Sequence, residues 1–149
     1  MGLRQSLVAF SSVLCLWLGP GKTVLAGQPP LEESAVRKVI QQLVDGFNTR
    51  NADGIAQLYA LDADRRDATG TYAHGRSEVA AMYKRTFQAL PQDLRTRFEF
   101  SIRFLRSDVA LADGNYILSD GRTGPFTIIT TKESGQWLVS AGRQGAAFP

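Results

Sequence analysis

The sequence predicts an α+β fold, with three helices packed on one face of a curved antiparallel sheet. Three observations carry this. Before Pro91 the apolar residues recur at helical spacing in three separate stretches. After Pro91 the period changes to two. The four extended stretches that result are joined by short turns, so they form a meander that comes after the helices and does not alternate with them. Helices covering one face of such a sheet leave a conical hollow.

The first helix spans Leu31 to about Arg50. Val36, Ile40, Leu43 and Phe47 make its apolar stripe, widened by Val39 and Val44. Glu32 and Glu33 favour the positive end of the helix dipole. Asn51 caps a second, short helix through Tyr59, with Ile55, Leu58 and Tyr59 facing inward. Asp62 to Thr69 reads as a short strand with a turn, and Gly70 to His74 as another short strand, because Thr71 and Tyr72 favour extended backbone. Ser77 caps a third helix whose buried face is Val79, Met82, Tyr83, Phe87 and Leu90, and Pro91 stops it.

Phe98, Phe100, Ile102 and Phe104 then alternate with Arg97, Glu99, Ser101 and Arg103, the clearest strand pattern in the chain. Val109 to Leu118 is the next strand, with a bulge expected at Asp113-Gly114. Phe126 to Lys132 and Trp137 to about Gln144 complete the sheet.

Composition bounds the function. Of the 149 residues 44% are hydrophobic and 21% charged, which excludes wholesale disorder. No 18-residue apolar run lies in the body of the chain, so a polytopic membrane protein is excluded. Met1–Ala26 reads as a signal peptide: Arg4 is its one early charge, Leu7 to Leu18 its apolar stretch, and Val24-Leu25-Ala26 its cleavage site. A linker at residues 27–30 then precedes the domain at residues 31–149. The expected location is secreted or periplasmic.

Cleavage would remove Arg4 and Lys22 and no acid. The formal charge of +3 (17 Lys+Arg against 14 Asp+Glu) then falls to 15 against 14, or +1. With Arg65-Arg66 set between Asp64 and Asp67, no basic stripe for nucleic acid remains. Cys15, the single cysteine, would leave too, which excludes disulfides and thiolate metal sites. His74 is the single histidine, and no glycine-rich phosphate loop comes after a strand. Neither a metal nor another cofactor is expected.

The run Phe47-Asn48-Thr49-Arg50-Asn51-Ala52-Asp53-Gly54-Ile55, then Leu58-Tyr59-Ala60, then Gly75-Arg76-Ser77-Glu78-Val79, resembles the nuclear-transport-factor-2-like (NTF2-like) superfamily. Gly135-Gln136-Trp137-Leu138-Val139-Ser140-Ala141-Gly142-Arg143 is similar to its last strand. Within that superfamily the chain looks most like the secreted SnoaL-like and SgcJ/EcaC-type domains. The resemblance implies a cone-shaped fold over about Leu31 to Ala146. It leaves function open, since the superfamily holds isomerases, dehydratases, cyclases and non-catalytic dimer modules.

The candidate site residues come from both sources. Asp67 falls where the steroid isomerases resembled place a proton-shuttling carboxylate, and a carboxylate at the mouth of an apolar hollow suits that work. Their oxyanion partners are absent, since Asp45 and Thr127 stand at about those positions. The other reading of Asp67 is a turn acid before Gly70, or a partner of Arg65 or Arg66. His74 is either a second acid–base group, as in the dehydratases resembled, or an exposed strand-end histidine. Arg143 shares a strand face with Trp137, Val139 and Ala141. If that face lines the hollow, its guanidinium suits a carboxylate or enolate ligand, or else an internal acid such as Asp67.

Arg65 raises the same choice. Tyr72, Tyr83 and Tyr116 are pocket or core tyrosines. The charged row Arg97, Glu99 and Arg103 is either solvated or the contact of a two-fold homodimer. Two functions remain: a non-catalytic module that dimerises or binds a small hydrophobic or anionic ligand, or an isomerase, dehydratase or cyclase acting through Asp67 and His74. The missing oxyanion partners favour the module.

Overall fold

Three helices and six strands assemble in the order that the sequence predicts, with the boundaries moved at several places. The computed structural model describes residues 30–149, so the expected signal segment Met1–Ala26, Cys15 and most of the linker lie outside the described residues. Helix α1 (Pro30–Asn48) buries Val36, Val39, Ile40, Leu43 and Val44 along one stripe. The chain leaves it through Arg50, which adopts a left-handed φ of 58°. That strain is offset by the Arg50 guanidinium, which donates to the carbonyls of Phe87, Leu90, Pro91 and Gln92 at the end of the third helix.

Asn51 caps α2 (Ala52–Gln57) as expected, its side chain accepting from Gly54 N at 2.9 Å. The helix stops before Tyr59 because the Leu58 carbonyl is taken by Val139 N at 2.8 Å, which starts a parallel pairing. Strand β1 (Tyr59–Arg66) therefore begins earlier than its polar residues suggest. β2 (Tyr72–His74) folds back on it. Helix α3 (Gly75–Ala89) opens two residues before the expected Ser77 cap. Glu78 Oε2 accepts the His74 N–H at 2.8 Å, a side-chain acceptor for the backbone of the N-cap residue.

β3 (Thr96–Arg106), β4 (Val109–Leu118), β5 (Thr123–Glu133) and β6 (Gln136–Gln144) form the meander. The sheet order is β2-β1-β6-β5-β4-β3, antiparallel except where β1 joins β6. The alternation in β3 holds: Phe98, Phe100, Ile102 and Phe104 pack on the core, and Arg97, Glu99, Ser101 and Arg103 are exposed.

The bulge expected at Asp113-Gly114 is not there, since both flanking registers run through it unbroken. Gly114 answers a different demand. A Cβ on it would lie 1.9 Å from the Glu99 carbonyl oxygen, so β3 and β4 cross too closely for any side chain. The bulges fall elsewhere, at Leu105 in β3 and at Ser140 in β6, where Ile129 faces Ala141 but Thr130 faces Val139. The second of these decides the site.

Candidate functional site

Between α1, α3 and the sheet the core leaves a small inner hollow of about 40 Å³ that opens into a wider mouth of about 280 Å³. Phe47, Arg65, Tyr83, Tyr116, Leu118 and Gln144 border both parts, so the two are one cleft. Asp67, Thr86, Leu90 and Arg122 are at its rim. The mouth is close to the size of a small-ligand site, with apolar and aromatic walls and few polar groups.

Arg65 is the central polar group. Its Nη2 donates to Gln144 Oε1 at 2.6 Å and its Nη1 to Tyr59 Oη at 3.4 Å. The Tyr83 ring covers the guanidinium with its centroid 4.8 Å away. Nε is buried without any acceptor. Among the described residues no carboxylate stands within ion-pair distance of Arg65. Burial works against its charge, but the facing Tyr83 and Tyr59 hydroxyls, with a smaller pull from Asp67 at the rim, outweigh that and leave the pKa above its ordinary value. Burial likewise pushes the Tyr83 hydroxyl up, against the pull of Arg65. A charged, buried, incompletely bonded arginine is costly to a fold.

Asp67 sits at the rim as a turn acid. Its Oδ1 accepts from Thr69 N (2.9 Å), Thr69 Oγ1 (2.7 Å) and Thr71 N (2.9 Å), which closes the turn that carries Gly70 at φ +87°. Tyr116 donates to the Gly145 carbonyl at 2.8 Å, and burial raises its pKa. Gly124 makes room for this hydroxyl, since a Cβ there would meet it at 2.5 Å.

Two expected site residues, Tyr72 and His74, lie outside the cleft, and Arg143 keeps only its inner edge. Arg143 borders the inner hollow, but its guanidinium is half exposed and paired with Asp64, Nη2 lying 3.0 Å from Oδ2. The expectation that it shares an inward face with Trp137 and Val139 is corrected by the Ser140 bulge, which inserts one residue and reverses the facing of Ala141 to Gln144. Gly142 now points inward, as its missing Cβ shows by facing Arg65 Nη1 and Tyr59 Oη at 3.5 Å. Arg143, its neighbour, points outward. Tyr72 is exposed, its hydroxyl 3.4 Å from Asp64 Oδ2 and its ring 5.7 Å from the Arg66 guanidinium. His74 pairs with Asp64 across β1 and β2 and is exposed at the start of α3. Asp67 therefore stands at the mouth and Arg143 at the inner hollow, with its guanidinium turned to Asp64, while His74 lines neither part.

The sequence model of the SnoaL-like domain matches residues 40–139, most of the helices and sheet just described. The chain belongs to the SnoaL-like domain family. Solved structures agree on the fold. A domain of unknown function with a cystatin-like fold from Nostoc punctiforme superposes with a TM-score of 0.72 at 24% identity, covering 80% of each chain. An NTF2-like protein of unknown function from Pseudomonas putida gives 0.73 at 21% identity, covering 83% of this chain and 92% of its own. A scytalone dehydratase candidate from Novosphingobium aromaticivorans gives 0.69 at 13%, covering 80% and 85%. No curated protein matches the chain. The NTF2-like fold implied by the sequence motifs is thereby shown.

Within this SnoaL-like domain the cleft is bordered by Arg65, Asp67, Tyr83, Tyr116 and Arg143 of those expected, together with Gln144, which the sequence does not announce as a site residue. Gln144 supplies the acceptor for Arg65, and Tyr59, expected only in the core, supplies a second. The signal for Gln144 lies in the bulge: with the phase reversed after Ser140, every second residue from Gly142 faces in. Chemically the SnoaL-like cleft offers one fixed cation, several N–H and O–H donors, and aromatic walls. Among the described residues no three His, Cys, Asp or Glu side chains gather as metal ligands.

Proposed function

We propose that this chain is an exported, non-catalytic small-molecule-binding domain whose ligand is a compact apolar molecule with an oxygen function seated at Arg65. The observation that supports this is the half-buried Arg65 at the base of an aromatic-walled cleft, with its Nε buried and left without an acceptor. A fold keeps such a group where something outside it supplies the missing acceptor. The test is a titration of the isotope-labelled protein with 2-acetonaphthone, monitored by NMR. Shifts confined to Phe47, Tyr83, Tyr116 and Gln144 are expected, and shifts scattered over the surface or absent at saturation overturn the reading.

The enzymatic alternative takes up the dehydratase name of the Novosphingobium neighbour and assigns proton transfer to Asp67 and His74. Against it stand the three donors that hold Asp67 Oδ1 and the position of His74 outside the cleft lining.

Export and dimerisation belong to the same proposal. The charge pattern of Met1–Ala26 supports cleavage after Ala26, and intact-mass measurement of protein from the extracytoplasmic fraction should find Gly27 first. Met1 retained there overturns cleavage, and protein missing from that fraction overturns export. The exposed row on β3, with Arg97 and Glu99 already paired, supports a two-fold homodimer through the outer sheet face.

A further inference from the structure

We infer that the cleft selects ligands bearing a carboxylate, and that Gln144 holds the place on Arg65 which that carboxylate takes. This rests on the binding reading above and adds the ligand's charge and the residue it displaces.

Donors outnumber acceptors along one edge of the Arg65 guanidinium. Nε and Nη2 form the side edge of arginine, where a carboxylate binds with two parallel hydrogen bonds. In this structure Nη2 has its acceptor, Gln144 Oε1 at 2.6 Å, and Nε has none although it is buried. A glutamine brings one oxygen to an edge shaped for two. Exchange of the amide for a carboxylate would keep the bond at Nη2, satisfy Nε, and neutralise a charge that no acid in the described residues pairs.

The surroundings fit that exchange. Gln144 borders both the inner hollow and the mouth, so its side chain has space to turn toward the rim. Phe47, Tyr83, Leu90 and Leu118 give an apolar body its walls. The acid at the rim, Asp67, has Oδ1 engaged by Thr69 and Thr71 and is beyond ion-pair reach of Arg65. Arg122, also at the rim, is held by Asp120 through Nε at 2.9 Å and Nη2 at 2.7 Å and leaves the charge of the mouth little changed. Arg65 is the cation free to take an anion.

The experiment compares 2-naphthoate with 2-naphthamide, equal in shape and different in charge, by calorimetric titration of the purified chain. The wild type should bind the acid at least about tenfold more tightly, since a charge-assisted pair is roughly twice as strong as a neutral bond. In Arg65→Met both probes should weaken, the acid by more, so that the two bind with equal affinity. Gln144→Glu should lose the preference as well, because its own carboxylate then fills the edge with the fold kept, and this variant decides the matter if Arg65→Met does not fold. An amide that binds the wild type as tightly as the acid overturns the inference alone. So does a Gln144→Glu variant that still prefers the acid. If neither probe binds the wild type at millimolar concentration, the binding reading fails and takes the inference with it.

Discussion

Arg143 pairs with Asp64 on the outer face of the sheet, Nη2 to Oδ2 at 3.0 Å, while Arg65, the residue after Asp64 on β1, enters the cleft. Strand alternation sends neighbours to opposite faces. At the junction of β1 and β6 it therefore gives one arginine an acid partner and leaves the other without one. The division is set by the single inserted residue Ser140.

The outer pair should show itself in acid. The hydrogen bond from Arg143 holds the Asp64 carboxyl below the usual carboxylate range, with burial opposing. A depressed folded pKa stabilises above the unfolded pKa of about 4, and the gain is lost as pH falls through the folded value. With the Arg143 side chain 47% exposed, solvent screening limits the pair to less than about 1 kcal/mol. Urea unfolding should find Asp64→Asn slightly less stable than the wild type at neutral pH, with the difference closing as pH falls through the folded value. A difference that persists in acid would mean that the side chain acts through packing.

Gly114→Ala tests the crossing of β3 and β4. The added Cβ would meet backbone at 1.9 and 2.7 Å, atoms that cannot swing aside. The expected loss is about 3 kcal/mol, at the upper end of overpacking penalties. Thermal unfolding should show it as a fall of roughly 10 °C or more for a domain of this size. A midpoint within a few degrees of the wild type would show that the strands can separate locally.

The fold is legible because its signals are local and repeated. The helical stripe from Val36 to Val44 and the alternation from Phe98 to Phe104 each declare their period several times over. Single residues that reset a phase are not legible in that way. Ser140 looks like any strand residue, and its extra position shows only when Thr130 and Ile129 choose partners on either side of it. Tyr59 reads as helical because nothing in α2 announces that β6 will capture the Leu58 carbonyl. Arg65 and Arg143 look equivalent in sequence for the same reason, since unbroken alternation would turn both inward.

The charged row on β3 predicts the assembly. Arg97 and Glu99 are paired within one chain and both remain largely exposed, so a two-fold axis beside them could exchange partners at little cost. Light scattering should find a dimer at tens of micromolar, roughly the range of weak dimers. Arg97→Glu combined with Arg103→Glu should shift it to monomer. Monomer alone in the wild type at that concentration overturns the dimer.

Asp67→Asn separates a turn acid from a ligand contact. The amide oxygen can still accept from Thr69 N and Thr71 N, so the turn should survive with a loss of less than about 1 kcal/mol. Removing a negative charge from the rim should tighten 2-naphthoate by a few fold, in proportion to a screened interaction across a wet mouth. Weaker binding would mean that Asp67 touches the ligand.

Arg65→Met should leave the protein as stable as before or more so. The change removes a buried charge whose Nε has no acceptor and replaces it with an apolar chain of similar length. Such replacements are often neutral, or stabilising by about 1–4 kcal/mol. Against this stand the lost contact over Tyr83, about 1 kcal/mol, and the freed Gln144 oxygen, which can turn toward the mouth. Chemical denaturation should therefore place the variant between unchanged and about 2 kcal/mol more stable. That outcome, with the loss of acid binding, would mark Arg65 as a residue kept for its ligand at the expense of the fold. A loss of more than about 3 kcal/mol, the size seen when a well-satisfied buried charge loses its partner, would instead make Arg65 a brace between β1 and α3.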